Sequence, residues 1–292
     1  MNIIVNLNKP KGITSQQAVT KVKRLLGVKK AGHTGTLDPM ATGVLLVCLN
    51  EATKISRFLL DKDKTYHARL KLGERTDTLD AEGRLMETRE VPPFTSEHIV
   101  NVTKQFIGRI MQTPPMYSAI KRNGQPLYKL ARQGIEVERA ERPVEIYNIK
   151  ILQTDIPYVD LAVCCSKGTY IRTLCEDIGL ALGTGAHITA LERTGIGAFT
   201  IDTSVTFDKL EQGISDDSPF VSSIDHALSD LSEVILDETD FMKARNGISP
   251  GSDLAAGLPD NVYFRLKDPS GQLFGIGITK NERIVIERNL NL

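Results

Sequence analysis

Residues 32–43 read Gly32-His33-Thr34-Gly35-Thr36-Leu37-Asp38-Pro39-Met40-Ala41-Thr42-Gly43, and the apolar run Val44-Leu45-Leu46-Val47-Cys48-Leu49 follows at once. This pairing constrains the fold more than any other stretch. A short apolar run entered through turn residues reads as a strand that can be buried. The loop before it is therefore anchored on a rigid element and carries one carboxylate. Pro39 fixes the backbone just after Asp38 and biases Asp38 itself toward an extended conformation. Gly32, Gly35 and Gly43 let another molecule approach the backbone closely. By spacing alone, a plain turn and a functional loop are equally good readings. The pinned Asp in an open, small-residue loop suits a nucleophile or base better than a helix cap.

The chain has 292 residues, 41% of them hydrophobic, enough for one large core or for a large domain plus a small one. No segment approaches the roughly 18 uninterrupted apolar residues of a membrane span. The start, Met1-Asn2-Ile3-Ile4-Val5-Asn6, reads as a first strand rather than a signal peptide. Cys48, Cys164, Cys165 and Cys175 form no Cys-x-x-Cys pair and sit among apolar residues, which points to reduced, buried thiols and a cytoplasmic protein. The five His are scattered without ligand spacing, so no metal is expected. Net charge is zero but uneven. Residues 1–75 hold 14 Lys+Arg against 5 Asp+Glu, and residues 201–240 hold 1 against 11. A basic half can neutralise phosphates whatever the total, although ordinary solvated faces would look the same.

The pattern predicts strands at 3–7, 64–72, 144–153, 158–166 and 195–200, and helices near 15–26, 52–60, 96–107, 128–132 and 171–182. Asn123-Gly124 is a turn signal. The acidic segment 201–240 reads as helix-rich. Short strands follow at 262–266, 273–278 and 283–286.

The run Ala31–Leu45 resembles the active-site signature of the TruB family of tRNA pseudouridine-55 synthases, bacterial type, without a gap. The resemblance extends over about residues 2–200. It implies an α+β fold: a pseudouridine-synthase-like catalytic domain with a mixed, mostly antiparallel central sheet and flanking helices. A small β-rich C-terminal domain completes it. The expected boundaries are 1–236, with an RNA-contacting insertion at about 111–142, and 237–292, either a reduced PUA-like domain or an accessory β-domain that packs on the core. The implied activity isomerises uridine-55 of the tRNA T-loop to pseudouridine, with no cofactor.

That reaction needs a carboxylate, and the resemblance assigns it to Asp38. Attack at C1′, attack at C6 of the base and removal of the C2′ proton all suit it. An isolated Asp in a dry pocket would lose its charge. In Ser166-Lys167-Gly168-Thr169-Tyr170-Ile171-Arg172 the family motif places a countercharge at Arg172. As a plain residue, Arg172 sits in the first turn of a helix, a poor dipole position for a cation. Tyr66 maps to the family's active-site Tyr on the face of the base, Tyr170 to the pocket lining and Leu191 to its apolar floor. His33 maps to a residue that helps hold the target nucleotide out of the folded RNA. Lys121 and Arg132, among Tyr117 and Tyr128, fall in the RNA-contacting segment, where basic and aromatic residues suit an RNA loop.

The implied partner is the tRNA T-arm, met by a monomer without guide RNA or membrane. Two rivals remain. One is a guide-RNA-dependent synthase, which resembles longer chains with basic tails. The other is a tRNA-folding chaperone without chemistry, which would not need Asp38, Tyr66 and Arg172 together.

Overall fold

The computed structural model describes residues 1–122, 124–215, 218–251 and 259–292. Asn123 of the turn signal, and Asp216 and Asp217 of the acidic segment, lie outside the described residues. A ten-stranded sheet forms the frame. Its main path runs Val221–Ser223, Ile3–Lys9, Thr42–Leu49, Ala186–Ile196, Lys64–Leu72, Tyr158–Cys165, Arg142–Asp155 and Gly108–Gln112. Ala31–His33 pairs with Thr42–Leu49, and Phe199–Thr200 pairs with Ala186–Ile196. Every named pairing in this sheet is antiparallel except one short parallel contact, Glu192 to Thr42 and Arg193 to Gly43. The mixed, mostly antiparallel sheet of the expectation is therefore present.

Lys64–Leu72 alternates as its sequence does: Tyr66, Ala68 and Leu70 are buried, while Thr65, His67 and Arg69 face out. The period of two puts one side on the core and the other in water. Helix Ser15–Leu25 lays Ala18, Val19 and Val22 on the same core. Thr14 and Gln17 form a capping box at its start, and Lys23 and Arg24 sit in its last turn, where the helix dipole favours cations. Thr42–Leu49 is buried on both faces. Leu45, Val47 and Leu49 join this core. Val44, Leu46 and Cys48 meet a second cluster that includes Ile55, Leu59, Leu228, Ile276 and Leu290.

That second cluster docks a small C-terminal sheet of four strands, Glu233–Ile235, Tyr263–Lys267, Leu273–Lys280 and Arg283–Asn289. Arg265 and Lys267 share Asp225 and Glu233 in a four-residue ion network that ties it to the acidic segment.

Several elements differ from the pattern's prediction. Asn50–Ile55 is 3-10 and only Ser56–Leu60 is α-helical. Helix Ser96–Thr103 stops early and ends in a 3-10 turn. The acidic segment holds only two short α-helices among its described residues before Asp237, Phe207–Glu211 and Ile224–Ala227. Its Ser, Asp, Gly213 and Pro219 favour turns and caps over helix interiors. The long strand Ala186–Ile196 begins well before the predicted 195–200. Register shifts at Ile188/Ala190 and Arg193/Gly195 break its period and hide it from pattern reading. No helix among the described residues is long and apolar enough to cross a membrane.

Candidate active site

The Asp38 loop is held from three sides. Ser15 Oγ accepts from the Leu37 N–H at 2.8 Å and donates to the Leu37 carbonyl at 3.1 Å. The Gly12 N–H donates to the Pro39 carbonyl at 2.8 Å. Arg193, almost wholly buried, donates from Nε to the Val44 carbonyl at 2.7 Å and from Nη2 to the Gly35 carbonyl at 3.1 Å. Gly43 has a φ of +100°, and a Cβ there would lie 2.3 Å from the Arg193 carbonyl oxygen. Only glycine fits where the loop enters its strand.

Arg172 stands behind the carboxylate in the first turn of helix Ile171–Ala181. Its Nε lies 3.0 Å from Asp38 Oδ2, off the N–H direction, and Nη2 donates to Asp38 Oδ1 at 3.2 Å. The Arg172 side chain is 4% exposed and that of Asp38 33%, so the cation is sealed while the carboxylate opens to a cavity. That cavity, about 490 Å³, is lined by Asp38, Tyr66, Tyr170, Arg172, Leu191 and Arg193, among others. Tyr66 stands opposite Arg193, and Leu191 opposite Ala68, on adjacent strands. Gln112 brackets the backbone of Tyr170, and the Arg142 guanidinium lies 4.8 Å from the centre of the Tyr170 ring.

The charges are coupled. Burial pushes the Asp38 carboxyl above the ordinary carboxylate value; Arg172 opposes this, Asp80 adds to it, and Lys9 opposes it. Burial likewise pushes the Tyr66 phenol up, so it stays protonated. Lys9, buried on the carbonyls of Pro10 and Ile13, is pushed down to about 8. The arrangement can present an aimed carboxylate to a flat ring resting against Tyr66 and Leu191.

Asp80 is one residue of the site that sequence reasoning missed. It is 5% exposed and accepts from Arg172 Nη1 at 3.3 Å. Its other oxygen accepts from Thr78 Oγ1 at 2.6 Å and from the Glu82 N–H at 3.1 Å. In sequence it is one of four acids in the polar stretch 74–83, and nothing marks it out. The docking of that stretch does: the Ala81 N–H donates to the Ile188 carbonyl at 3.0 Å.

Five of the eight expected residues, Asp38, Tyr66, Tyr170, Arg172 and Leu191, line the cavity. His33, Lys121 and Arg132 do not. His33 lies on the Ala31–His33 strand, half-buried, with Nδ1 unpaired among the described residues; burial pushes its imidazole below the ordinary value. Lys121 is exposed on the two-stranded pairing of Lys121–Arg122 with Gln125–Pro126. Arg132 follows helix Leu127–Ala131 and lies 5.6 Å from the Tyr128 ring centre. Among the described residues no cluster of His, Cys, Asp and Glu could hold a metal ion.

A family model described as "TruB family pseudouridylate synthase (N terminal domain)" matches residues 23–171. Another, "tRNA pseudouridylate synthase B C-terminal domain", matches residues 172–237. A Hydrogenovibrio crunogenus protein named tRNA pseudouridine synthase B is 44% identical over 284 residues, covering 97% of this chain and 91% of that protein. A Clostridium tetani protein of the same name is 47% identical over 249 residues, covering 85% of each. Among solved structures, a chain of a Cbf5-Nop10-Gar1 complex aligns with a TM-score of 0.76 at 28% identity, covering 98% of this chain and 84% of that one. A chain of an archaeal box H/ACA sRNP Nop10-Cbf5 complex aligns with a TM-score of 0.74 at 27% identity, covering 100% of this chain and 86% of that one.

Proposed function

The chain belongs to the TruB family of pseudouridylate synthases, and we propose that it isomerises uridine-55 in the T-loop of tRNA, acting alone, as a monomer, without a cofactor. The observation that carries this reading is the Asp38–Arg172 pair opening onto a cavity walled by Tyr66 and Leu191.

The reaction breaks the C1′–N1 bond, turns the base and joins C5 to C1′. The C5 proton leaves and N1 gains one, so no net redox occurs. Asp38 supplies the carboxylate that this sequence of steps requires. Arg172 aims it and favours its charged form against burial. Tyr66 and Leu191 hold the ring flat while it turns, and Tyr170 closes the rim. The target nucleotide must leave its stack, at a cost of a few kcal/mol. His33, with its neutral imidazole favoured by burial, serves as a wedge in the RNA rather than as a base. Lys121 and Arg132 bind the T-arm backbone from the 111–142 insertion, and the C-terminal sheet, whose first strand Glu233–Ile235 precedes the expected boundary at 237, forms an accessory domain.

The test is incubation of the purified protein with an unmodified tRNA transcript and no guide RNA. Pseudouridine is then mapped by carbodiimide-blocked primer extension. The expected outcome is a single stop at the T-loop uridine. Bound RNA with no stop would overturn the enzyme reading and leave the folding chaperone. A stop that appears only with added guide RNA would overturn stand-alone action.

A further inference from the structure

The insertion leaves the sheet at Gln112 and returns at Arg142, and these two residues are register partners on adjacent strands. Both roots reach the loop that carries Tyr170 and Arg172. Gln112 is 1% exposed, and both ends of its amide are used on one residue. Nε2 donates to the Tyr170 carbonyl at 3.0 Å, and Oε1 accepts from the Tyr170 N–H at 2.8 Å. Arg142 donates to the Gly168 carbonyl and stacks its guanidinium over the Tyr170 ring. Within the insertion, the Tyr117 carbonyl accepts from Arg172 Nη2 at 2.7 Å. That same nitrogen donates to Asp38 Oδ1 at the longer distance of 3.2 Å. One nitrogen is thus shared between the insertion's backbone and the carboxylate.

We propose that Gln112 is a positioning residue that locks the Tyr170 peptide to the root of the insertion, so that the placement of the insertion sets the Arg172–Asp38 pair. The inference rests on the proposed reaction. Tyr170 immediately precedes the helix whose first turn carries Arg172, so a shift of its peptide moves the guanidinium directly. A buried side-chain amide with both ends satisfied also resists rotation, because any other rotamer leaves polar groups unpaired. RNA seated on the insertion would therefore be felt at Asp38 through Gln112, Tyr117 and Arg172. An amide that merely satisfied a helix start would have no such reach.

The experiment measures single-turnover rate constant, RNA affinity and pH profile for Gln112→Leu, with a T-arm stem-loop as substrate. The expected result is a rate reduced about tenfold or more, with Kd within about threefold of wild type. The acid limb of the profile should move to higher pH, because a displaced Arg172 pulls less on Asp38. In an Arg172→Lys background the same change should cost less than about threefold, since both act through one group. A wild-type rate in Gln112→Leu would overturn the proposal, and so would costs that simply multiply in the double variant. Gln112→Glu keeps an acceptor toward the Tyr170 N–H, loses the donor and adds a carboxylate oxygen facing the Tyr170 carbonyl. It is read by rate, affinity and the double variant if Gln112→Leu does not fold, because its added charge would by itself raise the acid limb. Failure of the proposed function itself would appear separately, as absence of product from the wild-type protein.

Discussion

Asp80→Asn should cost the enzyme most of its rate while leaving its substrate affinity intact. All three groups facing the Asp80 carboxylate are donors: Thr78 Oγ1, the Glu82 N–H and Arg172 Nη1. An asparagine has one acceptor oxygen and one donor NH2. If the oxygen stays with Thr78 and Glu82, the NH2 faces the guanidinium 3.3 Å away. The lost charge-assisted hydrogen bond is worth about 1.5–3 kcal/mol at a buried site. If that loss falls on the placement of Arg172 in the transition state, the rate drops roughly 10- to 150-fold. A second effect runs the other way. Asp80 is a like charge that pushes the Asp38 carboxyl up, so its removal lets Asp38 ionise at lower pH. The plateau rate should fall; the lost Asp80 charge draws the acid limb down, and the displaced Arg172 draws it up, as in Gln112→Leu. The assay is single-turnover release of tritium from C5-labelled uridine in a T-arm RNA between pH 5 and 9. A plateau within threefold of wild type would refute the argument.

Gly43→Ala should destabilise by about 3 kcal/mol or more, because it adds both a positive-φ strain and a clash with the Arg193 carbonyl; a melting point lowered by about 6–12 °C is expected, and one lowered by less than 2 °C would contradict it. Burial, with Glu176 adding, pushes the Asp177 carboxyl up to about 6. Its folded value exceeds its unfolded one, so stability falls as pH rises through about 4 to 6. Asp177→Asn should therefore stabilise at pH 8 by about 1–2 kcal/mol after allowance for solvent screening, and hardly at all at pH 4, as urea titrations at the two pH values would show. Burial pushes the Cys48, Cys165 and Cys175 thiols up to about 12. Iodoacetamide at pH 8 should mark at most one cysteine in the native protein, the half-buried Cys164, and rapid uptake of two or more labels would refute the assignment.

The sequence is most legible where one local rule acts alone. Lys64–Leu72 alternates without interruption, and its burial follows the alternation residue by residue. Thr14 and Gln17 announce the first helix, and Pro39 with the glycines announces the loop. Legibility fails where tertiary contacts override local pattern. The strand Ala186–Ile196 carries Glu192, Arg193 and Thr194 among its apolar residues, and its two bulges scramble the period. Leu191 is legible only through the family resemblance, because an isolated leucine carries no signal of a pocket. The conjunction of Asp38 with Arg172 spans 134 positions and is likewise legible only through that resemblance. Asp80 had neither pattern nor assignment, since its function depends on the docking of a polar loop onto a strand end. Gln112 and Arg142 are ordinary polar residues until the sheet register sets them opposite each other.

The central claim is that Asp38 is the essential carboxylate and not a structural one. The direct measurement is Asp38→Asn in single turnover on an unmodified T-arm stem-loop, with RNA affinity measured on the same preparation. The account predicts no detectable pseudouridine and a Kd within a few fold of wild type. Product at near wild-type rate would contradict it, and so would loss of product and affinity together.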